Sequence, residues 1–247
     1  MELTRRSLIV RGGMASGAVA LRAVSPITTL PKAHKAKIVV TGGHPGDPEY
    51  GCGGTIASFV EQGHEVVLLY LNGGAWPPTP AATRMAEAKR ACELLGVRPA
   101  YAGQTNGAAI VDNVHYEDFA GRLNAEAPDA VFTHWMIDNH RDHRSIAMLS
   151  YDAWQKSGWK FALYYYEVSD GEDTMQFSPN RYVDITRMEP RKKAACYAHA
   201  SQTPERYYAL QDQVAHFRGL ASGYTRAEAF VWQERSPFDI LSPSAQI

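Results

Sequence analysis

The sequence predicts an α/β fold, Rossmann-like, with a mostly parallel sheet and helices on both faces. Three observations predict it. From Ala36 onward, short β-branched apolar runs alternate with segments of helical period. Glycines punctuate the ends of those segments, and the two stretches richest in potential ligands each follow a predicted strand directly. Alternation of this kind implies right-handed crossovers between parallel strands.

Residues 37–41 form the first predicted strand and 64–71 the second, a continuous apolar run of the kind buried on both faces. Between them the spacing predicts a helix over 55–62, stopped by Gly63, where left-handed backbone is tolerated. A firmer helix covers 81–95: Met85, Ala88, Cys92 and Leu95 fall three and four apart on one face, and Gly96 ends it. Short strands are expected at 100–102 and 130–134, with a helix over 116–127 between them. A helix after His143 runs to about 155, and 161–168 is an aromatic strand whose partner the pattern does not identify. Segments 190–200 and 203–220 read as helices, the second with Pro204 in its first turn. The tail from Ser236 is polar and expected to be loosely held, and His115 and His216 are expected to be structural.

The 247 residues, 45% of them hydrophobic, suit one domain over 36–247. Residues 1–35 read differently. Thr4-Arg5-Arg6-Ser7-Leu8-Ile9 leads into a Gly/Ala-rich stretch that resembles a twin-arginine export signal, implying a periplasmic or extracellular protein. The alternative is a cytoplasmic tail, because Arg11 and Arg22 interrupt the apolar stretch and leave it too short to span a bilayer. A net charge of −1 without basic clusters argues against nucleic acid or a membrane surface and leaves small molecules as partners. The spacing of the three cysteines fits neither a zinc knuckle nor a disulfide framework.

The first chemistry-bearing stretch is Gly42-Gly43-His44-Pro45-Gly46-Asp47-Pro48-Glu49-Tyr50-Gly51-Cys52-Gly53-Gly54. A dinucleotide loop does not fit, since after Gly51 and Gly53 the third glycine position is Ile56. His44 and Asp47, three apart on a turn fixed by Pro45, can instead offer a nitrogen and an oxygen to one ion. The second stretch, residues 133–143, holds His134, His140, His143, Asp138 and Asp142 in eleven residues. Both stretches reach the same edge of the sheet, where ligands bind in open α/β folds. A His/Asp/His set leaves a coordination position open, as hydrolytic zinc sites require.

These motifs resemble those of the LmbE-like or PIG-L-type zinc deacetylases, which remove acyl groups from amino sugars. His44-Pro45-Gly46-Asp47 is similar to that family's His-Pro-Asp-Asp loop and His140-Arg141-Asp142-His143 to its His-x-Asp-His cluster. The Gly51–Gly54 turn, Arg84 and Glu87, His199-x-Ser201-Gln202 and Ala227-Glu228-Ala229-Phe230 extend the likeness over most of 36–232.

The resemblance implies that His44, Asp47 and His143 bind Zn2+ or another divalent metal. It implies that His140 steadies an oxyanion or protonates the leaving amine, and that Asp142 orients its histidine neighbours. It also places Arg84 and His199 on the substrate side, and Trp76 is a candidate wall against a sugar ring or acyl chain. One position departs from the pattern: the aspartate expected as general base is Gly46. Either Glu49, Asp138 or Asp142 supplies that carboxylate, or the chain is a metal- and carbohydrate-binding homologue with weakened catalysis.

Overall fold

The structure, a computed structural model, describes residues 35–168 and 173–242. The expected export signal lies outside the described residues. Seven strands form one sheet: β1 (Lys37–Gly42), β2 (Glu65–Asn72), β3 (Arg98–Gln104), β4 (Ala130–His134), β5 (Ala162–Tyr166), β6 (Arg181–Asp184) and β7 (Ala227–Trp232). Their order is β3-β2-β1-β4-β5-β7-β6. The first five are parallel; β7 runs antiparallel to β5, and β6 antiparallel to β7.

The two-residue period of a strand divides the core. Ile38, Val40, Leu68, Phe132 and Tyr164 face one side, beneath helices α1 (Asp47–Glu61), α2 (Ala81–Leu95), α5 (Glu189–Tyr197) and α6 (Pro204–Ser222). Val39, Leu69, Val131 and Leu163 face the other, beneath α3 (Asn113–Glu126) and α4 (Arg141–Lys156). Each fully buried aliphatic side chain contributes about 1.5–3 kcal/mol, so covering both faces makes the strands the rigid part of the molecule.

From β1 the chain builds outward through β2 to β3, then crosses back to place β4 on the other side of β1. The loops leaving β1 and β4 therefore diverge, opening a crevice at the carboxyl ends of those two strands. Beneath the crevice, Thr41 Oγ1 donates to Thr133 Oγ1 at 2.8 Å, and Thr133 Oγ1 donates to Ser150 Oγ at 3.1 Å. This buried chain of hydroxyls ties β1 and β4 to α4.

Three sequence expectations change, and the open partner of the aromatic strand is found. The helix expected over 55–62 begins at Asp47 and takes in the glycines as helix interior. They permit close approach: a Cβ on Gly51 would lie 2.5 Å from the Tyr166 ring, and one on Gly54 2.5 Å from Ile185 Cγ2. Glu228 reaches the same helix, accepting the Gly54 and Thr55 N–H groups at 2.9 and 2.7 Å and the Lys192 ammonium at 2.7 Å.

The helix expected after His143 begins at Arg141, so His143 sits in its first turn. The partner of the aromatic strand is β7, which with β6 adds an antiparallel edge that the pattern did not reveal. The tail expected to be loose is held as far as 242. Phe238, Ile240 and Leu241 are buried, and Asp239 accepts from the Tyr164 hydroxyl at 2.7 Å. His115 does bond locally, to the helix-capping Asp112, while His216 lies exposed on α6.

Candidate metal centre and active-site pocket

Gly43 follows β1 directly, and its N–H donates to Nε2 of His134 at 3.1 Å. A Cβ at Gly43 would lie 2.8 Å from His143 Cδ2 and 3.2 Å from Asp47 Oδ2. A glycine here lets the two ligand loops close on each other. Gly46, with φ 113°, then turns the chain into α1, whose first residue is Asp47.

The structure brings together His44 Nδ1, Asp47 Oδ2 and His143 Nε2. Their separations are 3.2 Å (His44–Asp47), 3.1 Å (His143–Asp47) and 3.3 Å (His143–His44). Ligand atoms arranged tetrahedrally about 2.0–2.1 Å from one ion stand roughly 3.3 Å apart. The three donors thus have the spacing that a small divalent cation requires, and their mixed N/O chemistry suits zinc and several other such ions.

Each imidazole is held from behind by a carboxylate. His44 Nε2 lies 3.2 Å from Asp142 Oδ2, and His143 Nδ1 lies 3.0 Å from Asp138 Oδ1. This support fixes which nitrogen points inward, the usual arrangement behind metal-binding histidines. Asp142 Oδ2 also accepts from Asn72 Nδ2 at 3.2 Å and from the Gly107 N–H at 2.7 Å, while Asp138 Oδ1 accepts the His140 N–H at 2.7 Å.

The charges of the metal-free cluster follow from its geometry. Burial opposes protonation of His143, but Asp47 and Asp138 outweigh it and push its pKa up to about 10. Burial also opposes charge on His44, which Asp47 and Asp142 nevertheless raise above the usual imidazole value. Asp47 lies well below the usual carboxylate range, since His143 and His44 overcome the burial penalty.

His134 is the residue that sequence reasoning set aside. It is fully buried and its ring stacks on that of His143, with centroids 3.8 Å apart at 11°. Burial, reinforced by His143, pulls its pKa down to about 4. It is therefore neutral, with Nε2 accepting from Gly43, and it serves as a flat support beneath the triad.

A pocket of roughly 210 Å³ is lined by two of these donors, Asp47 and His143. His140 stands at its mouth as the N-cap of α4, with Nδ1 accepting the Asp142 N–H at 3.2 Å. Burial and then the neighbouring His143 and His44 charges lower its pKa. With Nδ1 accepting, the neutral form of the ring carries its proton on Nε2. Arg84 forms another wall, donating to Pro45 O at 2.6 Å and Gly74 O at 3.2 Å, so it fastens two loops together. It makes no i,i+3 ion pair with Glu87, whose carboxylate instead accepts from Ser201 N and Oγ at 2.7 and 2.8 Å. His199 is also a wall residue, buried, with Nε2 3.0 Å from Glu49 Oε1.

The remaining candidates are placed differently from expectation. Glu49 is completely buried and does not line the pocket; its Oε1 also accepts from the Tyr70 hydroxyl at 2.7 Å. Asp138 and Asp142 lie behind the triad. None of the three carboxylates offered in place of Gly46 therefore faces the cavity. Trp76 lies outside it as well, in an adjoining groove.

A sequence model of the family described as "PIG-L: GlcNAc-PI de-N-acetylase" matches residues 39–154, which span both ligand loops. The chain is 26% identical over 216 residues to a diacetylchitobiose deacetylase of Thermococcus kodakarensis, covering 78% of this chain and 81% of that one. Among solved structures it resembles a conserved protein of Thermus thermophilus, with a TM-score of 0.69, 25% identity and coverage of 79% and 94% of the two chains. It also resembles an N,N'-diacetylchitobiose deacetylase of Pyrococcus horikoshii, with a TM-score of 0.70, 24% identity and coverage of 84% and 89%.

Proposed function

We propose that the chain, whose residues 39–154 match the PIG-L family model, is an N-deacetylase of that type and hydrolyses the N-acyl group, an acetyl in the first instance, of an amino sugar. In this reading His44, Asp47 and His143 hold one divalent ion, zinc by preference. The observation that carries it is the spacing of His44 Nδ1, Asp47 Oδ2 and His143 Nε2, all between 3.1 and 3.3 Å, beside a pocket lined by Asp47, His143 and the His140 imidazole.

A divalent ion supplies Lewis acidity there, polarising an acyl carbonyl and making water nucleophilic near neutral pH. The protein's own groups do the rest. Asp138 and Asp142 hold the two imidazoles in their ligating tautomers. His140 offers an Nε2–H to the oxygen on which charge develops, or to the departing nitrogen. Arg84, His199 and Gln202 shape the walls that orient the sugar.

Without a carboxylate at Gly46, the rate is expected to be about 10²- to 10⁴-fold below that of a site with a positioned base. A second reading, a metal- and carbohydrate-binding homologue with little turnover, is favoured by one observation: Glu49, Asp138 and Asp142 are all committed away from the pocket.

Amine release from N-acetylated amino sugars separates the readings. It is measured with protein stripped of metal and again after zinc is restored. Release that depends on zinc is the expected result; sugar binding with no release in either state favours the second reading.

A further inference from the structure

The pocket is graded in burial. Asn139, His140 and Tyr207 on its lining are exposed, whereas Gly46, Tyr50 and His199 are buried. We propose that the buried end is a subsite for the alkyl part of the acyl group, and that Gly46 makes it deep enough for a group longer than acetyl, of propionyl or butyryl size. This rests on the amide-hydrolysis reading above and deepens it by naming the group that is removed.

The shape of the substrate sets its direction in the pocket. The bond to be cleaved joins the acyl carbonyl to the sugar nitrogen. The sugar is the bulkier side and carries any further substituents, so it needs the open end. The acyl chain simply terminates, which suits the closed end.

Gly46 decides how much room the closed end has. A Cβ at this position would stand 3.5 and 3.6 Å from Cε2 and Cδ2 of Tyr50 and 3.8 Å from Cδ2 of His199. These are ordinary contact distances, so a carbon placed there touches both rings without crowding either. Because residue 46 has no side chain, a carbon of the substrate can take that place. The backbone keeps it so, since a φ of 113° is one that glycine adopts freely and L-residues avoid.

The surface around that place selects an alkyl group. The atoms nearest to it are ring carbons. The Tyr50 hydroxyl is engaged elsewhere, donating to Cys196 O at 3.4 Å, and His199 Nε2 is held 3.0 Å from Glu49 Oε1. Val168, also on the pocket lining, packs against the cluster of Tyr50, Cys196 and Tyr208 and extends the apolar wall. A methylene gains by leaving water for such a wall, whereas a hydroxylated or charged acyl tail would be desolvated there without compensation.

The test uses the zinc-loaded full chain with N-acetyl-, N-propionyl-, N-butyryl- and N-hexanoylglucosamine. We expect kcat/KM to be higher for the butyryl than for the acetyl sugar by about tenfold, the scale of two buried methylenes. Gly46→Ala places a methyl in the subsite and should abolish that preference. Val168→Ala leaves the strained turn untouched and should move the preference toward hexanoyl, so it decides alone if Gly46→Ala does not fold. Equal or lower constants for the butyryl sugar in the wild type overturn the subsite, as does a preference that the folded variants leave unmoved. If no sugar releases amine, the amide-hydrolysis reading falls and titration calorimetry with the same sugars decides the subsite separately. Binding about tenfold tighter for butyryl than for acetyl upholds it; equal affinities, or no binding, overturn it.

Discussion

Asp138 Oδ1 lies 3.0 Å from His143 Nδ1, on the side of the ring opposite Nε2. The first turn of α4 carries the donor, and the loop that leads into it carries the group that aims it. Asp142 does the same for His44 across 98 positions of sequence. Both imidazoles are thus oriented by carboxylates of one short segment.

Replacing Asp138 with Asn should weaken zinc binding about 10- to 100-fold, because His143 loses its charged orienting partner. Competition against a graded chelator measures it. An affinity equal to that of the wild type would show that stacking on His134 suffices to fix the ring.

Gly46→Asp tests backbone and chemistry together. A Cβ there would meet nothing nearer than Tyr50 Cε2 at 3.5 Å, an ordinary contact, so there is room for it. The φ of 113° is one that L-residues avoid. Urea unfolding should show a loss of about 1–3 kcal/mol, accompanied by a rise in amine release of about 10²-fold if the carboxylate serves as base. Unchanged stability would mean that the turn relaxes, and an unchanged rate would remove Gly46 from the account of slow turnover.

Zinc affinity should rise with pH between 6 and 8. Without metal, His143 is protonated, with its pKa pushed up to about 10, and His44 is raised in the same direction. An entering ion must displace those protons. The metal-free fold behaves inversely. The folded pKa of His143 exceeds the unfolded value of about 6.5, so its stabilisation is complete below that value and is lost as pH rises through about 10. Melting temperatures of stripped and loaded protein across this range check both statements; a zinc-induced shift that shrinks from pH 6 to 8 would contradict them.

Gly54→Ala should destabilise by about 1–3 kcal/mol through overpacking, since the new methyl would meet Ile185 Cγ2 at 2.5 Å and Cβ at 2.6 Å. Denaturant unfolding of the single variant and of a double variant with Ile185→Ala forms a cycle. Recovery of stability in the double variant is expected, and additive losses would place the strain elsewhere.

Much of this architecture was legible because buried parallel strands are written as continuous apolar runs. Val66–Leu71 and Ala130–Phe132 are covered on both faces, and the expected strands there agree with the observed ones to within a residue. β6 was illegible for the opposite reason: Arg181, Tyr182 and Asp184 are only partly covered or exposed on an edge strand, so no apolar run marks them. The start of α1 was hidden because glycine reads locally as a helix breaker, whereas here it is required by side chains approaching from Tyr166 and Ile185.

The site shows the same division. His44, Asp47 and His143 were marked by residue type at the ends of strands. Glu49 was misjudged from spacing alone: once α1 begins at Asp47, a residue two positions on lies about 200° round the helix, which turns it toward Tyr70. His134 had one usable signal, its place as the last residue of a strand covered on both sides.

The support of α1 also bears on how the protein is made. All three donor residues leave the ribosome by position 143, yet the groups that lock the donor-bearing helix arrive much later: Tyr166, Ile185, Lys192 and finally Glu228. A nascent chain that already displays His44, Asp47 and His143 still lacks the clamp that satisfies the Gly54 and Thr55 N–H groups. An ion bound by the three donors would therefore meet the fully clamped α1 only after translation has passed Glu228.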